Sequence, residues 1–161
     1  MDRPMHIVCP HCSAINRVPA SRPAGQAKCG SCHRALFEQK PLAVTAESFD
    51  RHLARNDVPV LVDFWAPWCG PCRAMAPAYE RAAAELEPAY RLLKLDTEAV
   101  PAIAARFQIR SIPTLMLFRG GQPVAQTAGA MSTAGIVAWA RAHAQPAGPP
   151  RDRATQAEQR P

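Results

Sequence analysis

The chain has 161 residues, 48% of them hydrophobic and 20% charged, which suits one ordinary packed domain with a small second one and argues against global disorder. No apolar run approaches the roughly 20 residues of a membrane helix, and the opening MDRPMHIVCPHC has no apolar stretch of signal-peptide length, so a cytoplasmic protein without a membrane segment is expected. The net charge of +6 gathers in residues 1–40, with six Lys/Arg against two Asp/Glu, but without an arginine cluster or interleaved aromatics a nucleic-acid partner is not expected.

All six cysteines fall in CxxC pairs. Such a pair can be half of a zinc site, a redox dithiol or a structural disulfide. A reducing cytosol disfavours three structural disulfides, which leaves metal binding or redox work. Residues 1–40 form the first region, with little hydrophobic periodicity and much Pro, Gly, Ser and Cys. So small a segment buries few apolar side chains. Ile7, Val8, Ile15, Val18, Leu36 and Phe37 are the candidates, and something besides a core must hold them.

The four cysteines of this arm read C-x2-C-x16-C-x2-C, the spacing of zinc ribbons and knuckles. Each CxxC turn points two thiolates at one ion, and four thiolates close a tetrahedral shell. Cys9, Cys12, Cys29 and Cys32 are therefore expected to hold one structural Zn2+ per chain, which supplies the folding energy the arm lacks. His11 and His33 lie beside better-spaced thiols and read as surface residues, while Gly30 suits a tight turn around a metal.

Residues 41–145 make the second region. PLAVT reads as a short strand and AESFDRHLARN as an amphipathic helix. VPVLVDFWA is a continuous apolar run, typical of a strand covered on both faces. A helix follows from CGPC through AYERAAAELE, then the strand RLLKLD and the helix TEAVPAIAARF. TLMLFR and QPVAQTAG form a hairpin turned by Gly120-Gly121, and STAGIVAWARAHA closes the region as a helix. Strands alternating with helices and ending in a hairpin predict a mixed α/β sheet flanked by helices. Residues 146–161 have Pro, Gly and charge with almost nothing to bury, and a disordered tail is expected.

The third CxxC pair, Cys69 and Cys72, differs in context. It follows an apolar strand and opens a helix, where the helix dipole and free backbone N–H groups stabilise a thiolate. No second close pair remains to complete a metal site there, so the pair reads as a redox dithiol. Asp63 is the oddity of the preceding strand, on the same face as Leu61 and Trp65. A buried carboxylate has its pKa raised, which suits proton exchange near neutral pH, and a structural pairing with Lys94 is the competing reading.

VDFWAPWCGPC, the helix with Pro77, then SIPT and the glycine of AGAMS resemble the thioredoxin family, in order and over residues 41–144. The four-cysteine arm extends the resemblance to the zinc-containing second thioredoxins of bacteria, so that only the tail lies outside it. The resemblance implies a thioredoxin fold with a zinc-ribbon-like arm and the activity of a protein-disulfide reductase. Thioredoxin reductase and disulfide-containing client proteins are the partners it implies, and a monomer is expected. Cys69 would be the nucleophile and Cys72 the resolving thiol, the two cycling through a disulfide. Asp63 would be the family's buried acid with Lys94 as its neighbour, and Ile112–Pro113 a cis peptide beside the dithiol. Trp68, Gly70, Pro71, Ile112 and Gly129 would form the surface that receives an extended substrate peptide, while Trp65 and Pro77 are structural. Two other readings compete: a zinc-dependent holdase or interaction module, and a thiol oxidase or isomerase using the same dithiol. Client binding that ignores Cys69 would favour the former, and a high reduction potential the latter.

Overall fold

Residues 3–144 are described by the computed structural model; the tail at 146–161, for which disorder is expected, lies outside the described residues. A small hairpin comes first, β1 (Met5–Val8) against β2 (Ile15–Val18), with Met5 opposite Val18 and Val8 opposite Ile15. It is followed by β3 (Leu42–Ala43), α1 (Ala46–Arg55), β4 (Val60–Trp65), α2 (Gly70–Leu86) and β5 (Arg91–Asp96). The chain continues through α3 (Pro101–Arg106), β6 (Thr114–Arg119), β7 (Gln122–Ala128) and α4 (Thr133–His143).

The larger sheet has the order β3-β5-β4-β6-β7. β3 and β4 run parallel to β5, whereas β6 is antiparallel to β4 and β7 to β6. β4 is central and buried on both faces, as its unbroken apolar run requires. Leu61 faces Met75, Tyr79 and Ile136 of α2 and α4. Val60, Val62 and Phe64 face Phe49 and Ile103 of α1 and α3. The mixed sheet flanked by helices is the architecture expected from the sequence.

Local sequence explains most boundaries. α1 begins in a capping box, in which Ser48 N donates to Thr45 Oγ1 at 3.2 Å and Thr45 N to Ser48 Oγ at 2.9 Å. Such a cap contributes about 1 kcal/mol. Gly120 and Gly121 take φ of +58° and +80° in the turn between β6 and β7, a conformation that favours glycine. The helix read from Thr97 starts only at Pro101. Proline disfavours helical geometry in the residue before it, and Val100 accordingly sits at φ −129° and ψ 64°. α2 runs through Pro77, which has no N–H to offer the carbonyl of Arg73.

The arm is more ordered than its sequence suggests. Ile7, Val8, Val18, Leu36 and Phe37 are buried as expected, and Ile15 is half-buried. Val58, from the segment leading into β4, packs in one cluster with Ile7, Val18, Leu36 and Phe37. β1 is also tied to that segment by backbone: Asp57 N donates to His6 O at 2.9 Å, and His6 N to Asp57 Oδ2 at 2.6 Å. The arm borrows core from the main domain.

Candidate active site and metal centre

Cys69 is the N-cap of α2, and its sulfur accepts the Cys72 N–H at 3.2 Å. A helix begins there because Pro71 supplies a fixed φ in the first turn and has no N–H to leave unpaired. The two cysteines are joined as a disulfide, with their Cα atoms 5.2 Å apart. The same N–H and the positive end of α2 face the Cys69 sulfur, a setting suited to a sulfur anion. Cys69 is not on the surface. In the disulfide it is only 4% exposed and Cys72 2%, because Cys69 bonded inward packs with Ala66 against Trp65 and Ile112.

Accessibility belongs to the rim. Trp68 is 69% exposed, and Gly70 and Pro71 are exposed beside it. The Ile112 carbonyl oxygen lies 3.8 Å from Cys69 Sγ. Ile112–Pro113 is cis, as the resemblance implies, and Glu87–Pro88 is a second cis peptide that was not expected. Gly129 donates its N–H to Pro113 O at 2.9 Å. Its φ of +103° favours glycine, and open space lies where a side chain would begin. The structure thus brings Trp68, Gly70, Pro71, Ile112, Pro113 and Gly129 around one dithiol.

Asp63 is 1% exposed, in the layer between β4 and α2. Burial pushes its carboxyl up to about 7, against a smaller downward pull from Lys94. Asp63 and Lys94 are register partners on neighbouring strands. Among the described residues, however, Asp63 has no ion pair, and its Oδ1 has no hydrogen-bond partner. The Lys94 ammonium instead sits 4.5 Å from the centre of the Trp65 ring. A tight Asp63–Lys94 pair, the competing sequence reading, is not what holds the carboxylate in place.

The other four cysteines form two matching knuckles. Ser13 N donates to Cys9 O at 3.1 Å and Cys9 N to Ala14 O at 2.9 Å. In the second, His33 N donates to Cys29 O at 2.9 Å and Cys29 N to Arg34 O at 2.8 Å. The residues after each pair, Ser13 and His33, take φ of +62° and +67°. His11 N and Ser31 N point at Cys9 Sγ and Cys29 Sγ, at 3.4 and 3.3 Å. All four sulfurs lie within 4.8 Å of one another, with Cys9–Cys32 and Cys12–Cys29 each at 3.6 Å. A tetrahedral shell with metal–sulfur bonds of about 2.3 Å needs sulfurs about 3.8 Å apart, so the donor set fits a single ion.

Cys9 and Cys29 sit in contrasting electrostatic surroundings. Burial pushes Cys9 up to about 12, whereas backbone N–H donors, that of Cys32 first, hold Cys29 down to about 6. His11 and His33 are exposed and contribute no ligand atom to the cluster. Asn16 is a participant the sequence did not flag: its Oδ1 accepts Gly30 N at 2.8 Å and its Nδ2 points at Cys29 Sγ at 3.5 Å. A polar residue inside the short strand INRV is the only trace it leaves in the sequence.

A family model described as Thioredoxin matches residues 40–142, and one described as Thioredoxin 2, N-terminal, a zinc ribbon, matches residues 8–34. Thioredoxin C-3 of Corynebacterium nephridii is 42% identical over 135 residues, covering 84% of this chain and 92% of that one. The bifunctional thioredoxin reductase/thioredoxin of Mycobacterium leprae is 45% identical over 107 residues, 64% of this chain and 23% of that one. Among solved structures, a single-site mutant of a thioredoxin from Halobacterium salinarum aligns with a TM-score of 0.61 at 28% identity, covering 69% of this chain and 96% of that one. The helix-capping dithiol thus sits in a domain matched nearly end to end, behind a ribbon matched in its own right, and the chain belongs to the thioredoxin family of thiol–disulfide oxidoreductases, in the branch that carries a metal-binding N-terminal arm.

Proposed function

We propose that the chain reduces client disulfides through Cys69 and Cys72, and that residues 1–40, 41–145 and 146–161 divide it into a zinc arm, a catalytic domain and a tail. The observation that carries the reading is Cys69 at the N-cap of α2, one helical turn from Cys72 and beneath the Ile112 carbonyl. The Cys69 thiolate attacks one sulfur of the client; the client S–S bond breaks and its leaving thiolate takes up a proton. Cys72 then loses its proton and attacks Cys69 Sγ, which releases the second client thiolate and leaves the Cys69–Cys72 disulfide. Two electrons pass from the dithiol to the client. Asp63, held near neutrality by burial, exchanges the proton of Cys72, and Lys94 moderates its charge. Ile112 and Gly129 offer backbone to an extended client strand beside Trp68.

A flavin-dependent thioredoxin reductase returns the dithiol to its reduced form, and a cytoplasmic monomer fits this cycle. Insulin-type disulfide reduction coupled to such a reductase tests the activity: no turnover with reductase present would sink it. The Cys9, Cys12, Cys29 and Cys32 cluster holds one structural Zn2+ per chain, since four thiolates leave no open coordination position. Metal content of the purified protein should give one zinc per chain.

Chelation should strip amide-exchange protection from β1, β2 and the Asn56–Val58 segment that β1 bonds to. The β4, β5 and β6 ladder has its own core and should stay protected, with reductase-coupled turnover largely kept. Loss of protection across that ladder would refute the division into arm and domain.

A further inference from the structure

We infer that Arg91, a residue of the thioredoxin domain, is the built-in counter-charge of the arm's metal–thiolate centre and fastens the arm to that domain. This rests on the zinc reading above. Four thiolates around Zn2+ carry a net charge of 2−, and Cys9 and Cys29 take part of it out of water. A buried anionic centre needs a compensating charge nearby. The arm's own basic residues Arg17, Arg22, Lys28 and Arg34 are exposed to solvent. Arg91 opens β5 and is 1% exposed, the only buried Lys or Arg among the described residues.

Its guanidinium reaches across the boundary. Nη2 donates to Val8 O at 3.1 Å and to Leu36 O at 2.7 Å, and the group lies 4.4 Å from the centre of the Phe37 ring. Val8 directly precedes the ligand Cys9, and its N–H donates to Asn56 Oδ1 at 2.8 Å, so both backbone groups of that residue are held by the main domain. Glu87 Oε2, at 3.6 Å from Nη1, faces the guanidinium from α2's C-terminal end, while Glu87 Oε1 accepts Gln39 N from the arm's exit at 3.2 Å. His52 lies within electrostatic reach of Arg91 and stays neutral, with Nδ1 accepting from Asn56 Nδ2 at 2.8 Å. Arg91 therefore meets carbonyl oxygens, one carboxylate and an aromatic face, and its bond to Val8 O sets the guanidinium one residue from the ligand Cys9.

The test is zinc transfer from the full-length protein to a chromophoric chelator. Arg91→Gln keeps a polar amide but removes the charge and ends two bonds short of the Nη2 position, whereas Arg91→Lys keeps the charge and loses the planar fork. Removing an outer-shell partner of a metal site typically costs 10–100-fold in affinity. Arg91→Gln should thus release zinc about tenfold faster or more, with Arg91→Lys close to wild type and reductase turnover unchanged in both. Equal release from both variants, or wild-type release from Arg91→Gln, would overturn the counter-charge. Should Arg91→Gln fail to fold, as read by lost turnover, the Lys variant decides: wild-type retention supports the inference and fast release defeats it. A wild type without zinc would sink the metal reading together with this one, whereas a zinc-loaded wild type insensitive to both changes would sink this one alone.

Discussion

Cys69→Ser should reduce disulfide turnover to the uncatalysed background, while Cys72→Ser should accumulate a covalent adduct with its client. A serine hydroxyl at the N-cap of α2 can still accept the Cys72 N–H, so the helix start survives the first change. What it cannot do is ionise near neutral pH, and the thiolate is the attacking species. In Cys72→Ser the first exchange is intact, since Cys69 keeps its place at the positive end of α2. The second exchange has no sulfur to carry it, and the mixed disulfide persists. Intact-mass spectrometry after incubation with an oxidised client should show protein plus client for Cys72→Ser and unmodified protein for Cys69→Ser. The reverse pattern would exchange the roles of the two thiols.

Much of this site is legible in the sequence because its determinants are local. The CxxC spacing, the apolar run of β4 before it and the helix pattern after it place Cys69 at a helix start without any long-range information. The four arm cysteines likewise fix a metal cluster by spacing alone, and the knuckle hydrogen bonds follow the chain closely. Asp63 is half legible. Its position in an apolar strand announces burial, but the absence of a tight ion pair depends on where Lys94 turns, and Lys94 lies over Trp65. The β1–β2 hairpin escapes because MHIV and INRV are too short to show a period and are held by cysteine knuckles and a borrowed Val58.

Arg91 escapes for a different reason. In RLLKLD it reads as the polar first residue of a strand, where arginine is ordinarily solvated. Its burial is made by residues 8, 36, 37 and 87, which no local window contains. The i, i+4 spacing of Glu87 and Arg91 is the one sequence signal, and across Pro88 it does not describe a helix. The packing of the arm on the main domain is not legible in the sequence for the same reason: the ribbon's backbone is bonded to that domain at Val8, Leu36 and Gln39. An arm too small for its own core finds the remainder there.

Asp63→Asn should stabilise the oxidised protein above neutral pH while slowing its catalytic cycle. Burial places the folded-state pKa of Asp63 at about 7, above the 3.8 of a free side chain. Between those values the folded state binds more protons than the unfolded one, so stability from this group falls as pH rises through the window and levels off above it. At about 1.4 kcal/mol per pH unit, the charged carboxylate costs about 4 kcal/mol at pH 8, which a neutral amide of the same shape removes. His52 acts in the opposite sense over part of this range: burial holds it down to about 3 against an ordinary 6.5, so its contribution is lost as pH falls. The two slopes oppose each other in the wild type between about pH 4 and 6.5, and the measurement must be the difference between variant and wild type. Urea unfolding of both proteins from pH 4 to 9 should give a difference near zero at pH 4 that grows to a plateau above about pH 7. A flat difference would mean that Asp63 is not buried as a reluctant charge. The kinetic arm is independent: if Asp63 takes the Cys72 proton, release of the client from the mixed disulfide should slow in Asp63→Asn while the first attack by Cys69 is unchanged. Stabilisation with unaltered release across pH 6 to 9 would leave Asp63 a structural burden with no part in the exchange.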